Sequence, residues 1–201
     1  MIRLVCILFT CWLMAVSSSY DDYYFGGWPI NSIKDSIVGA NISPDCSENL
    51  KEPLCECASN QDCESGECFS SPRVGRYCLQ GKGTVFPRIV LQDQYREKVD
   101  LYDFAGNGKM ILIELSTSWC QPCKDLSDWL ANDIPNITEN RNWKDQYNVI
   151  KDLILNDEIY FINIMLQDSY RDPASIETLE DWFQMYPSDN IPVLADENHI
   201  L

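Results

Sequence analysis

Two cysteines separated by two residues, Cys120 and Cys123, form the motif of this sequence that could carry chemistry. They follow an apolar stretch, Met110 to Leu115, that is typical of a strand buried on both faces, and they open a segment with apolar residues at helical spacing. At the amino end of a helix the dipole stabilises a thiolate, so the pKa of Cys120 is expected to lie below the ~8.5 of a free thiol. The Cys120 thiolate could attack a substrate disulfide, and Cys123 could resolve the mixed disulfide.

A structural disulfide, or half of a zinc site, is the alternative interpretation of this pair. A zinc site requires further ligands, but the other cysteines cluster elsewhere in a pattern typical of disulfides in an exported chain. We therefore favour a redox function, without a metal or an organic cofactor.

Glu114 is a further candidate, because it interrupts the apolar stretch six residues before Cys120. Burial between Ile113 and Leu115 should raise the pKa of its carboxyl group, which suits proton transfer near neutral pH. A glutamate that lies at a sheet edge and reaches solvent is the alternative.

Strands that alternate with helices are expected to position these residues. Apolar residues at helical spacing predict helices after Cys120, around Trp143–Ile154 and from the pair Asp172–Pro173 onward. The predicted strands are Arg88–Gln92, Lys98–Tyr102, Met110–Leu115, Ile159–Leu166 and Ile191–Ala195. This alternation indicates an α/β fold whose sheet contains parallel pairs of strands, with helices packed on it.

The composition excludes several classes of protein. Hydrophobic residues make up 45% of the chain, enough for a packed core, and the net charge is −16 at pH 7. A protein that binds nucleic acid through a basic face is therefore not expected, and neither is one that binds a membrane surface through basic residues.

The first 19 residues are typical of a secretory signal. A short basic start precedes an apolar run from Leu4 to Val16 and three serines, which predicts cleavage near Ser17 or Ser19. An uncleaved membrane anchor is the alternative, although the run is short for a span. We expect export to the periplasm or out of the cell, and removal of residues 1–19 leaves eight cysteines.

Six of those cysteines lie within 33 residues and define a separate module, 46–80. The module is too short and too polar for a hydrophobic core, so cross-links must hold it together. Zinc is the competing interpretation, but the segment contains no histidine and an oxidising compartment favours disulfides. Fifteen pairings are possible and the sequence does not distinguish them, but we expect none with the Cys120–Cys123 pair. The six cysteines are Cys46, Cys55, Cys57, Cys63, Cys68 and Cys78.

The rest of the chain is divided on either side of this module. Residues 20–45 are interpreted as a lead segment and 84–201 as the α/β domain.

The stretch Met110–Leu126, which contains the cysteine pair, resembles the thioredoxin superfamily. Phe86–Pro87 with the hairpin that follows it, and Ile191–Leu194, add to a likeness that runs from about Thr84 to Leu201. The most similar subgroup is the exported thioredoxin-like redoxins of the AhpC/TSA and TlpA type, which include cytochrome-maturation thiol-disulfide oxidoreductases. The resemblance implies a three-layer sandwich around a central mixed sheet.

The resemblance also implies roles for individual residues. Glu114 would relay a proton to Cys123, and Ile191 with Pro192 would begin a cis-proline strand that faces the cysteine pair. Trp119 and Pro192 would shape the substrate groove. The implied partners are protein thiols and disulfides, together with an upstream thiol redox partner.

Two features depart from the family pattern. Ile113 occupies the position at which peroxiredoxins have a proline, so a peroxiredoxin-like antioxidant is disfavoured. The sequence stops at Leu201, where the family's last strand would begin. We therefore expect the 201 residues to be an incomplete version of a longer protein.

The sequence thus predicts an exported thiol-disulfide oxidoreductase that exchanges disulfides with protein substrates through Cys120 and Cys123. The alternative is a secreted binding protein whose six-cysteine module recognises a partner and whose cysteine pair is only structural. The direction of the reaction, reduction or oxidation, is not determined by the sequence.

Overall fold

The structure is a computed structural model that describes residues 23–36, 46–47, 55–71, 75–79, 81–83 and 85–197. The helices are α1 (Gln121–Asn132), α2 (Val149–Leu155) and α3 (Ile176–Met185). The strands are β1 (Cys68–Ser71), β2 (Gly75–Cys78), β3 (Val90–Asp93), β4 (Lys98–Asp100), β5 (Met110–Thr117), β6 (Ile159–Gln167) and β7 (Val193–Ala195).

A five-stranded mixed sheet, in the order β4-β3-β7-β6-β5, is the centre of the α/β part. Strands β5, β6 and β7 run parallel to one another, whereas β3 is antiparallel to both of its neighbours. The structure therefore confirms the predicted α/β fold with parallel pairs, and it confirms the hairpin before them.

Side chains of β6 supply both faces of the core, because successive residues of a strand point to opposite sides. Ile162 and Ile164 pack on one face with Leu194 of β7. Phe161 packs on the other face with Trp129 and Leu130 of α1. Helix α1 therefore lies across the face to which the odd-numbered residues of β6 point.

The described part of the predicted lead segment, 23–36, packs against the α/β domain. The Trp28 side chain is buried in the same cluster as Ile162 and Ile164 and stacks on the ring of Tyr95. The main chain of Phe25 donates to the Glu97 carboxylate. Although this segment has no helical or strand periodicity, it covers one face of the sheet.

The six-cysteine module contains a small antiparallel hairpin of β1 and β2 in which Cys68 lies opposite Cys78. Three disulfides hold it, Cys46–Cys55, Cys57–Cys68 and Cys63–Cys78. All three close within the module, which confirms that it is cross-linked separately from the Cys120–Cys123 pair.

Several predicted boundaries were wrong. The helix predicted around Trp143–Ile154 starts only at Val149, and the strand predicted over Lys98–Tyr102 ends at Asp100, where a 3-10 turn begins. Helix α3 starts at Ile176 rather than at Asp172–Pro173, because Ser175 caps it and the Asp172 amide donates to Asp168 instead. Strand β7 starts only at Val193, since Pro192 has no N–H to donate to a neighbouring strand.

Within the described part of the chain, no helix combines the length and the apolar character that a membrane crossing needs. The predicted signal segment, 1–19, lies outside the described residues, as do residues 198–201, where a further strand was expected to begin.

Candidate active site

Cys120 and Cys123 lie where β5 ends and α1 begins. The two cysteines form a disulfide with a Cα–Cα distance of 5.3 Å. Cys120 is the N-cap residue of α1, and its Sγ accepts a hydrogen bond from the backbone N–H of Cys123 at 3.4 Å. Pro122 fits the first turn of the helix, where no backbone donor is lost. This is the position at which the helix dipole favours a thiolate on Cys120.

The two sulfurs have different surroundings. Cys123 packs against a buried cluster that includes Met165, Trp182 and Val193. Cys120 lies in the turn that leads into the helix, where its N–H donates to the Thr117 carbonyl. The second cysteine of the pair is therefore the one that faces the protein interior.

Trp119 lies directly before the disulfide and is held on two sides. Its side chain is 43% exposed. The indole Nε1 donates to Oε1 of Gln167 at 3.2 Å, and the Arg171 guanidinium carbon lies 5.0 Å from the ring centroid. Arg171 has a φ of 73°, in the left-handed region that is uncommon for a residue with a side chain. A strained loop residue thus fixes the exposed indole beside the cysteine pair.

Glu114 lies on the face of β5 that α1 covers. Leu112, two residues earlier, packs with the α1 cluster, so the alternation of the strand directs Glu114 to the same side. Nδ2 of Asn163 on β6 donates to its Oε2 at 3.1 Å. Burial raises the pKa of Glu114 to about 7, against a smaller opposing effect of the Ser116 hydroxyl. The carboxyl group of Glu114 is therefore partly withdrawn from solvent. The prediction that Met110–Leu115 is buried on both faces was wrong, because β5 forms an edge of the sheet and the Met110 and Leu115 side chains are exposed.

A groove of about 350 Å³ lies beside the cysteine pair. Its walls include Ser118 and Lys124, which flank the motif, and the loop 168–170. The exposed side of α3 contributes Glu177 and Asp181. The surface next to the disulfide is therefore an open groove of mixed charge, large enough for a few side chains of a polypeptide.

The predicted placement of Ile191 and Pro192 opposite the cysteines was wrong. The peptide bond before Pro192 is trans. Pro192 lines a cavity with Lys109 and Ile159, which lie at the amino ends of β5 and β6. Cys120 follows the carboxyl end of β5, and a residue that begins a strand parallel to β5 lies toward the other end of the sheet. Ile191 is buried in the α1 cluster and lines no groove at the disulfide.

Sequence reasoning missed Asn163 and Arg171. The signal for Asn163 was available, since an amide within the apolar run Ile159–Leu166 stands out in the same way as Glu114 does in its strand. Arg171 gave no such signal, because its position over Trp119 depends on how the loop after β6 folds back.

Comparisons with known proteins leave the family of the chain open. No protein-family model matches the chain, and no curated protein matches it. Among solved structures, it is similar to BsSco, a member of the Sco family of cytochrome c oxidase assembly proteins described for its disulfide switch. The identity is 16% and the TM-score is 0.34, over 53% of this chain and 52% of that chain. The chain thus spans about half the length of this neighbour, and a likeness of this size does not determine its family.

Proposed function

We propose that this protein is a thiol-disulfide oxidoreductase that exchanges disulfides with protein substrates through Cys120 and Cys123. The observation that carries the proposal is the disulfide at the amino end of α1, with Cys120 as the capping residue of the helix. The helix dipole stabilises a thiolate at this position, which makes Cys120 the candidate nucleophile.

In the reducing direction, the reaction begins with the dithiol form. The Cys120 thiolate attacks one sulfur of the substrate disulfide, a Cys120–substrate disulfide forms, and the other substrate sulfur leaves as a thiolate. Cys123 then loses its proton and attacks Sγ of Cys120. The Cys120–Cys123 disulfide forms, the bond between Cys120 and the substrate breaks, and the second substrate sulfur also leaves as a thiolate, so that two electrons have passed to the substrate. The oxidising direction is the reverse of these steps.

Glu114 is proposed as the group that takes the proton of Cys123. Its pKa of about 7 allows both protonation states near neutral pH. Its position on the α1 side of β5 supports this role, because Cys123 is the cysteine of the pair that faces the interior.

Trp119 and the groove beside the disulfide are proposed to contact the polypeptide substrate. An exposed, immobilised aromatic ring offers a large contact area at a small loss of conformational entropy. We propose export because the three disulfides of the module require an oxidising compartment. An upstream thiol partner would then regenerate the active form of the pair.

The reduction potential of the Cys120–Cys123 pair tests the proposal. Equilibration of the mature protein with glutathione buffers should give a potential well above about −300 mV, the value below which structural disulfides typically lie. Cys123→Ser should trap a mixed disulfide with a disulfide-containing protein, whereas Cys120→Ser should not. A potential below that limit, without a trapped complex, would favour the secreted binding protein with a structural cysteine pair.

A further inference from the structure

Asn163 is a buried amide in a strand of mostly apolar residues. It is 2% exposed and lies opposite Glu114 in the parallel register of β5 and β6. Its Nδ2 donates to Oε2 of Glu114, and its Oδ1 accepts no hydrogen bond from the described residues. A buried amide is unfavourable unless hydrogen bonds compensate it. The hydrogen bond to Glu114 is therefore the interaction that compensates the burial of the Asn163 amide.

The Asn163–Glu114 pair lies just below the helix that carries the cysteines. Asn163 lines a small cavity with Ser127 and Leu130 of α1. Two residues further along the strands, Met165 lies opposite Ser116 and belongs to the cluster that Cys123 contacts. Two strand residues span about 7 Å. The Asn163–Glu114 pair is thus one layer of side chains away from Cys123.

We propose that Asn163 is a positioning residue for Glu114. Its amide holds the Glu114 carboxylate on the α1 side of the sheet and favours the ionised form of that carboxylate. The ionised carboxylate is the form that can accept the proton of Cys123, and in this respect the inference rests on the proposed function. Hydrogen bonds to a charged group are stronger than those between neutral groups, so the amide stabilises the carboxylate more than the acid. Burial and the Ser116 hydroxyl are the other influences on Glu114, and within the described ranges no charged side chain contributes.

Asn163→Leu tests this role, because leucine suits an apolar strand but cannot donate a hydrogen bond. NMR titration with ¹³C-labelled glutamate measures the pKa of Glu114 directly. We expect Asn163→Leu to raise this pKa by about one unit or more. Ser127→Ala is the matched control, since Ser127 lines the same cavity, and it should leave the pKa of Glu114 unchanged. An unchanged pKa in Asn163→Leu would overturn the proposal.

The wild-type protein offers a second measurement that does not depend on how the variant folds. The side-chain amide signals of Asn163 should shift with pH at the pKa of Glu114, and signals that are constant through this range would contradict the contact.

The outcomes also separate this inference from the proposed function. If Asn163→Leu raises the pKa of Glu114 in a protein that exchanges no disulfides, the positioning role stands and the oxidoreductase proposal fails. If the protein exchanges disulfides and the pKa of Glu114 is the same in wild type and Asn163→Leu, the positioning role fails.

Discussion

The Tyr24 hydroxyl donates a 2.6 Å hydrogen bond to Oδ2 of Asp103, although 79 residues separate the two along the chain. Asp103 is fully buried and also accepts from the Asn31 backbone and from Nζ of Lys34. Burial and the bond to Asp103 raise the pKa of Tyr24, so the phenol remains a donor throughout the physiological range. One carboxylate thus joins three residues of the segment 23–36 to the domain, in addition to the packing of Trp28.

Asp103→Ala should destabilise the protein strongly. The substitution leaves the Lys34 ammonium without its nearest carboxylate and removes the acceptor of Tyr24, so we expect a loss of about 3 kcal/mol in the free energy of unfolding. Urea unfolding measures this loss. Asp35→Ala is the control, because Asp35 is an exposed partner of Arg88 and its loss should change stability by about 1 kcal/mol or less. Equal effects of the two variants would show that Asp103 does not anchor the segment.

Cys120 should be the more reactive thiol of the reduced protein. The helix dipole lowers the pKa of a thiol at the N-cap, whereas Cys123 lies against the buried cluster. Brief alkylation at mildly acidic pH, followed by mass spectrometry of the peptides, should find the label first on Cys120. Equal labelling, or a preference for Cys123, would reverse the roles assigned to the two residues.

Glu114 should make the stability of the oxidised protein depend on pH. Burial raises its pKa from the 4.5 of an exposed glutamate to about 7, so between these values the folded protein binds more protons than the unfolded chain. The free energy of unfolding therefore decreases as pH rises from 4.5 to 7, by up to about 3 kcal/mol from this group. Glu114→Gln should remove this decrease.

Urea unfolding at a series of pH values checks this prediction against Glu158→Gln, which alters an exposed carboxylate in the turn before β6. The control should keep the pH dependence of the wild type. If the pH dependence of unfolding is also unchanged in Glu114→Gln, Glu114 titrates in the folded protein as it does in the unfolded chain.

Arg171→Gly should weaken substrate binding without destabilising the fold. Glycine adopts the positive φ of this position without strain, but it removes the guanidinium that covers Trp119. An exposed cation–π contact contributes about 0.5–1 kcal/mol, so KM for a protein disulfide should rise about two- to fivefold while kcat is unchanged. Thermal unfolding should give an equal or higher Tm.

Trp119→Ala is the companion variant for the kinetic measurement, and its KM should rise more than that of Arg171→Gly. If KM is the same as in the wild type for both variants, Trp119 does not contact the substrate.

Local sequence patterns were sufficient to predict several elements of the fold. The apolar runs predicted β5 and β6, and the cysteine motif predicted the start of α1, because a strand and a helix each impose a short repeat on the side chains they bury. The clustering of six cysteines predicted a module closed by its own disulfides, since so short and polar a segment cannot be stabilised by a hydrophobic core.

The direction and order of strands were not available from these patterns. The run Ile191–Ala195 predicted a strand correctly, but its amino end would face Cys120 only if the strand ran antiparallel to β5. It runs parallel to β6 and β5 instead, which places Pro192 away from the disulfide. Apolar alternation is the same in both directions, so the pattern alone does not distinguish them.

The sequence by itself thus identified residues that could do chemistry, Cys120, Cys123 and Glu114, because their types and their spacing along an apolar strand are local properties. Only the tertiary structure decided what surrounds them: Asn163 at Glu114, Arg171 over Trp119, and the segment 23–36 on the sheet. These contacts join residues that are about 50 or more apart along the chain, or that meet across a folded loop. They form because burial of the whole core brings the elements together, and no short stretch of sequence records that arrangement.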